Sequence, residues 1–563
     1  MEKFVLEKYQ RWLNDSPLSK EEKDELIALK DNEKEIEERF IADLEFGTAG
    51  LRGVMAMGTN RMNKYVIRHA AQGLAQYLLD EEKEPTVAIA YDSRNNSQLF
   101  AKESASVLAA NGIEVHIFDR LMPVPTLSFA VRHLHCSAGI VITASHNPKI
   151  YNGFKVYGSD GCQMTIAAAN KVLENINKLD MFNHVKLLDF EEGLSKKQIN
   201  YISEELIEDY YASVFSQSIK SKEVSPRILK ITYTPLHGAG YIPVTTILKR
   251  DGFEHIDIVE EQRLPDGNFT TCPYPNPEIF EAMELGMKLM IKNNNDILVA
   301  TDPDSDRAGV AVNQNGKAII LTGNEIGILL FDFIYNARKE EGRLPKGAVV
   351  VKSLVSSDLV DLMGKEYGVN VKNILTGFKF IGEQILFLEQ KGEQDKFIFG
   401  FEESYGYLTN PDVRDKDAVN AVLLISEMAN YYKHKGLTLL DRLNELYDHF
   451  GHYKTVTLSF EFPGLDGKSK MQNLMKHFRE ESFKKEIGDV EFIGDYKIGK
   501  IFYPDHEEDT NLPKSDVIKF FLKDHETIIF RPSGTEPKMK AYVFANGDSR
   551  IEHFKKLIPE LLK

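Results

Sequence analysis

Residues Ile297 to Arg307 read ILVATDPDSDR. A short apolar run rich in branched residues stops abruptly at a turn with three carboxylates at alternate positions, the pattern of a buried strand that delivers polar groups at its end. The same plan recurs in VAIAYDSR (Val87 to Arg94), GIVITASHNP (Gly139 to Pro148), ILKITYTPLHGAG (Ile228 to Gly240), AVVVKS (Ala348 to Ser353) and FIFGFEES (Phe397 to Ser404). Stretches of helical periodicity separate these runs. Buried strands alternating with helices imply βαβ units with mainly parallel sheets, whose ligands bind beyond the carboxyl ends of the strands. The fold class expected is therefore α/β.

Three similar, mainly parallel α/β sections are expected at 1–205, 206–322 and 323–447, and Asn315-Gly316 between two apolar runs reads as a hairpin closing the second. Before them, Ser19 and Glu22 stand at capping-box spacing, and Leu26, Ile27, Ile36 and Phe40 give an apolar face to a helical N-terminal cap. From about His452 the style changes. The runs TVTLSFEF, TIIF and AYVFA point to a smaller antiparallel α+β domain over 448–563.

The length, 563 residues, excludes a single small module, and 42% hydrophobic with 27% charged residues excludes dominant disorder. Asp and Glu number 85 against 69 Lys and Arg. A formal charge of −16 argues against general affinity for nucleic acid or anionic membrane, while leaving room for a local basic pocket. The three cysteines, Cys136, Cys162 and Cys272, lack zinc or dithiol spacing, so a reduced, cytoplasmic setting is expected. Neither a signal peptide nor a membrane span is expected, because charges interrupt the N-terminus and every later apolar stretch. Oligomeric state is not legible.

Four polar turns carry the chemistry. In Thr143-Ala144-Ser145-His146-Asn147-Pro148 a hydroxyl lies beside an imidazole at a strand end, where it can carry a phosphoryl or acyl group or simply stabilise the turn. No Gly-x-Ser-x-Gly elbow is present, so an acyl-transferring hydrolase is not supported. Asp302, Asp304 and Asp306 offer hard oxygen ligands suited to Mg²⁺ or Ca²⁺. The EF-hand pattern fails, since Arg307 occupies its glycine position and Asn313 its final glutamate. Mg²⁺ commonly completes its shell with water or phosphate oxygen, so a phosphorylated partner fits. In Gly400-Phe401-Glu402-Glu403-Ser404-Tyr405-Gly406 a carboxylate and a hydroxyl can bond sugar hydroxyls. In Arg531-Pro532-Ser533-Gly534-Thr535-Glu536-Pro537-Lys538 an arginine fork, two hydroxyls and an accessible backbone suit a phosphate. Neither the segment Gly464 to Ser469 nor Gly238-Ala239-Gly240 completes a nucleotide-binding fingerprint.

Taken in order, these turns resemble those of the α-D-phosphohexomutases. The likeness extends from Gly47-Thr48-Ala49-Gly50-Leu51-Arg52-Gly53 to the loop at Arg531, and includes Asn152-Gly153-Phe154-Lys155, Thr234-Pro235-Leu236-His237-Gly238 and Gly377-Phe378-Lys379. The resemblance implies three related α/β domains and a distinct fourth around a central cleft, with Ser145 as a phosphoserine and Asp302, Asp304 and Asp306 holding Mg²⁺ together with it. It implies Lys155 and Lys416 as acid/base groups, His146 assisting, and Arg52 and Arg307 lining the transfer site. Glu402, Ser404 and Lys379 would meet the sugar phosphate, and Arg531, Ser533, Gly534 and Thr535 its non-reacting phosphate. The implied partners are small sugar phosphates, and the implied reaction interconverts glucose 1-phosphate and glucose 6-phosphate through glucose 1,6-bisphosphate. Phe401, which separates Gly400 from the two glutamates, departs from the family pattern, and the N-terminal extension resembles the longer bacterial branch and the related phosphopentomutases, so pentose and mannose phosphates are the alternative substrates. A lysine does acid/base work near neutrality only if burial or nearby cations lower its pKa. The rivals are a phosphatase, which leaves Ser145 unexplained, and a silent sugar-phosphate sensor, which has no use for the carboxylates.

Overall fold

A computed structural model describes residues 2–15, 17–47, 50–219, 225–463, 466–533 and 538–562. Its first sheet runs in the order Leu51–Val54, Tyr151–Gly158, Ala138–Ile142, Thr86–Tyr91, Glu114–Ile117 and Ile199–Tyr201. The last four strands pair in parallel, and the first two close one edge antiparallel. Ala138–Ile142 is buried along its whole length, as a strand covered by helices on both faces must be. Its carboxyl end delivers Ser145.

The second sheet keeps a parallel core, with Ile231–Thr234 between Ile256–Ile258 and Ile297–Thr301, but adds the antiparallel strands Ala308–Gln314 and Lys317–Leu321. Asn315 and Gly316 make its hairpin at φ 54° and 82°, the left-handed pair that a two-residue turn requires. In the third sheet Val349–Ser353 lies between Asn370–Ile374 and Phe397–Glu402, both parallel to it, and Gly406–Leu408 returns antiparallel. All three units are thus mixed sheets with parallel cores, and in each the antiparallel return leaves directly from a polar turn: 143–150, 302–307 or 403–405.

The tail forms an entirely antiparallel seven-stranded sheet. The three strands expected there are present as Tyr453–Glu461, Thr527–Pro532 and Lys538–Asn546. The other four, from Val490 to Leu522, were not anticipated.

At the N-terminus the capping box of Ser19 and Glu22 forms as expected. Val5, Tyr9, Trp12, Leu26, Ile36 and Phe40 bury themselves against Tyr65, whereas Ile27 points outward at 53% exposure. The two are consecutive on the helix and so point about 100° apart, and Leu26 takes the inward position. No described helix is long and apolar enough to cross a membrane.

Candidate active site

Ser145 lies past the end of Ala138–Ile142 with φ 51°, a left-handed conformation that costs a non-glycine residue about 1–3 kcal/mol unless its surroundings impose it. Those surroundings are visible. Its N–H donates to Thr143 Oγ1 at 2.8 Å, and its carbonyl accepts from the Arg94 guanidinium. The side chain is 3% exposed, and its Oγ donates to Asp302 Oδ2 at 2.7 Å across the boundary between the first two sheets. His146 Nδ1 stands 3.2 Å from the same oxygen. Burial, assisted by Arg307, pushes the His146 imidazole far below its ordinary pKa, so the ring is neutral and acts as a hydrogen-bonding neighbour.

The three aspartates occupy one loop, all buried, with one oxygen from each within 4.8 Å of the others. Asp302 Oδ1 is spent on the backbone N–H groups of Asp306 and Arg307, at 3.1 and 3.0 Å. Asp304 Oδ1 and Asp306 Oδ1 are buried with no hydrogen-bond partner among the described residues. Burial raises the pKa of Asp302 well above the carboxylate range, and Asp304 and Asp306 add to the rise. Asp306 is raised by burial and Asp304 as well. At Asp304 burial is outweighed by the Lys155 ammonium, and the pKa falls. Orphaned buried oxygens and converging like charges are what a hard divalent cation relieves, so this donor set fits Mg²⁺.

Two lysines reach the cluster from different units. Lys155, on Tyr151–Gly158, donates to Asp304 Oδ2 at 2.9 Å, and Lys416 lies 3.1 Å from Asp306 Oδ2. Lys416 also contacts Asp415 Oδ1 at 2.8 Å. Burial alone would lower its pKa, but Asp306 and Asp415 more than offset this and raise it. The lowering that acid/base work near neutrality requires is thus reversed at Lys416 by its carboxylate partners. Gly406 makes this approach possible: a Cβ there would stand 2.3 Å from Lys416 Cδ.

Arg307 joins the loop to the third unit. Its backbone bridges to Gly406, and its Nη1 donates to Glu278 Oε1 at 3.3 Å. Arg52 is exposed beside the serine turn, with Nη1 donating to Asn147 Oδ1 at 3.1 Å. Glu402, 6% exposed, accepts from the Gly377 N–H at 2.6 Å. Burial and the adjacent Glu403 push its pKa up to about 7. Ser404 is half-buried in the same turn.

Lys379 and Arg531 line a cavity of about 480 Å³ at the junction of the first, third and fourth sheets, on a floor that includes Leu354, Leu375 and Phe380. Neither Ser145 nor the aspartates line it. The described residues thus separate a buried, ion-paired cluster at the serine from a cavity where Lys379, Lys514 and Arg531 face Asp160 and Glu383. Ser533 donates its N–H to the Lys538 carbonyl at 2.7 Å; Gly534 and Thr535 lie outside the described residues. Tyr542, on the strand after that loop, is pushed up to about 12 by burial and by Glu403, and it packs in one apolar cluster with Leu354, Val355 and Leu375 of the third unit.

Sequence reading missed Arg94, Thr143 as an anchor and Asp415 as the partner of Lys416. Asp415 Oδ2 accepts from the Tyr157 hydroxyl at 2.7 Å, a contact between positions 258 apart. Arg94 had one local signal, its place at the polar end of a buried strand.

Comparison with known proteins covers most of the chain. Three domains described as phosphoglucomutase/phosphomannomutase α/β/α domains I, II and III match residues 43–182, 208–316 and 322–450. A phosphoglucomutase of Staphylococcus aureus (strain MSSA476) is 38% identical over 522 residues, covering 91% of this chain and 92% of that protein. Among solved structures, the open form of the exocytosis-sensitive phosphoprotein pp63/parafusin, a phosphoglucomutase from Paramecium, shares the fold at TM-score 0.70 and 18% identity, over 92% of this chain and 95% of that one. A phosphoglucomutase/phosphomannomutase family protein from Burkholderia thailandensis does so at TM-score 0.67 and 18% identity, over 92% and 96%.

Proposed function

Because this chain belongs to the phosphoglucomutase/phosphomannomutase family and is a phosphosugar mutase, we propose that it interconverts glucose 1-phosphate and glucose 6-phosphate, with Ser145 as phosphoryl carrier and glucose 1,6-bisphosphate as intermediate. The observation that carries this reading is the bond from Ser145 Oγ to Asp302, which sets a buried hydroxyl against a cluster of cation-seeking carboxylates. Mg²⁺ on Asp302, Asp304 and Asp306 would neutralise charge on the transferring phosphoryl group. Around the carboxylates, Lys155, Lys416 and Arg307 already provide three positive charges. A divalent cation and a phosphoserine dianion would enter this cluster as a neutral pair.

In the forward half-reaction the bond from phosphorus to Ser145 Oγ breaks as one forms to the sugar hydroxyl. That hydroxyl loses a proton and Oγ gains one. Lys416, held as an ammonium by its carboxylate partners, supplies the proton that Oγ gains, and the amine so formed takes up the proton the sugar hydroxyl loses, with Lys155 as the second exchange group. Neutral His146 orients Oγ, while Arg52 and Arg307 take up phosphoryl charge. The intermediate then turns so that its other phosphate faces Ser145. Glu402 and Ser404 would hold the sugar in either orientation, and Lys379, Arg531, Ser533, Gly534 and Thr535 the distal phosphate. We place unit boundaries near 205, 322 and 447, one turn per unit.

Purified protein incubated with Mg²⁺, glucose 1-phosphate and a trace of glucose 1,6-bisphosphate should yield glucose 6-phosphate without free phosphate. Equal or greater turnover of ribose or mannose phosphates would reassign the substrate, and release of free phosphate would indicate a phosphatase.

A further inference from the structure

Arg94 is 3% exposed and lies at the end of Thr86–Tyr91, in the sheet that delivers Ser145. Its Nη1 donates to the carbonyls of Pro148 at 3.0 Å and Tyr151 at 3.2 Å, and its Nη2 donates to those of Ser145 and Asn147. Both terminal nitrogens of one guanidinium therefore face a single stretch of backbone, residues 145–151, and neither is left to bind an anion. Its charge is met by Asp92 Oδ2, 3.4 Å from Nε. Asp92 is itself fixed by the hydroxyls of Thr143 and Ser97 at 2.6 and 2.7 Å.

The other face of the guanidinium stacks on Phe269, 4.9 Å from the ring centroid. Phe269 belongs to the second unit, is fully buried and has φ 45°, a conformation its own loop must enforce. Beside it, a Cβ on Gly267 would stand 2.4 Å from Asn95 Oδ1, so the two loops meet without slack. The arginine is therefore wedged between the turn that carries the serine and the unit that carries the aspartates.

We infer that Arg94 is a positioning residue for phosphoryl transfer: it gathers the carbonyls of the serine turn and, through Phe269, fixes that turn relative to the aspartate loop. The inference rests on Ser145 being the carrier. It assigns Arg94 no contact with sugar or phosphate, so its loss should act on turnover and leave sugar-phosphate affinity in place. Lysine retains the charge facing Asp92 but cannot fork to four carbonyls.

The test compares Arg94→Lys, Phe269→Leu and Ser145→Ala in the full chain, with Mg²⁺, glucose 1-phosphate and glucose 1,6-bisphosphate. Folded Arg94→Lys should lose about tenfold or more in kcat while KM for glucose 1-phosphate stays within about twofold, the signature of a misplaced reacting group. Phosphorylation of the protein by the bisphosphate, followed by intact mass, should slow in parallel. Wild-type kcat, or a loss entirely in KM, overturns the inference. Should Arg94→Lys fail to fold, Phe269→Leu decides by the same criteria, because it leaves every carbonyl bond in place and removes only the stacking face. Ser145→Ala separates the premise: turnover retained there removes the carrier itself, whereas turnover lost there with wild-type kcat in Arg94→Lys removes only the role of Arg94.

Discussion

Ser145 Oγ and Asp302 Oδ2 lie 2.7 Å apart although 157 positions separate them in the chain. A hydroxyl that donates to a buried carboxylate is pinned and faces the charge that must be neutralised when it carries a phosphoryl group. Ser145→Ala should lower kcat by at least about a thousandfold, since no other hydroxyl of the turn replaces a covalent carrier. The folded state should survive, because only Asp302 Oδ2 and His146 Nδ1 lose a hydrogen-bond partner, at about 1–3 kcal/mol each. Intact mass after incubation with the bisphosphate checks the assignment: a variant that still acquires one phosphoryl group places the carrier elsewhere.

The aspartate cluster leads to a second expectation. Its buried oxygens on Asp304 and Asp306, which accept no hydrogen bond among the described residues, make a cation a ligand of the folded chain alone, and such a ligand stabilises by about 2.7 kcal/mol at a hundred times its Kd. Mg²⁺ should therefore raise the melting temperature of the wild type. In Asp306→Asn this increment should shrink or vanish together with activity, and chelation should abolish turnover reversibly. An equal Mg²⁺-induced rise in Asp306→Asn would locate the cation elsewhere.

How far the sequence revealed this arrangement depended on range. The alternating carboxylates of 302–306 and the Asn315-Gly316 turn were legible because their chemistry is local. Glu507–Asp509 was not: a strand of three exposed carboxylates has no apolar pattern, and it pairs at a sheet edge where Lys500 lies 3.0 Å from both Glu507 and Asp509. Arg94 remained hidden because four of its partners are backbone carbonyls about fifty positions away, which no residue type announces. Lys416 was visible from family likeness, but the carboxylates that hold it protonated were apparent only once the loops met.

A pH dependence follows from Glu427, in Ala418–His434, where it faces the second unit. It is fully buried and accepts from the Ile219 N–H at 2.9 Å, while Arg227 Nη2 lies 3.0 Å from Glu427 and 2.7 Å from Asp251. One guanidinium between two carboxylates leaves a proton to be shared. Burial, reinforced by Asp251, pushes Glu427 up to about 8 from 4.5. Between those values the folded chain binds more protons than the unfolded one, so this group's contribution to stability is present at low pH and lost as pH rises through about 8. Urea titrations at pH 6 and pH 9 should show that loss in the wild type. Glu427→Gln, which mimics the protonated form, should flatten the profile, and an unchanged slope would remove Glu427 as its source.

Asp358 governs how the C-terminal sheet attaches to the third unit. Its carboxylate lies 2.8 Å from Lys519 Nζ and 3.1 Å from Lys352 Nζ, and it accepts from the Thr527 hydroxyl at 2.8 Å. The Lys352 side chain is fully buried and that of Lys519 is 4% exposed. Burial would raise the carboxyl pKa, but the two lysines overcome it and hold the group down at about 2. Removing the shared anion therefore leaves two buried cations, of which only Lys352 retains Asp361, at 3.0 Å. Asp358→Ala should destabilise the attachment by about 3–5 kcal/mol, the cost of breaking a buried pair from one side. Hydrogen exchange should rise first in Ile518–Leu522 and Thr527–Pro532, the strands that carry Lys519 and Thr527, while the sheet around Ser145 stays protected. Because Arg531 sits on the second of those strands, KM for the sugar phosphate should rise more than kcat falls. Uniform loss of protection across all four sheets would show that Asp358 supports the whole molecule and not this one attachment.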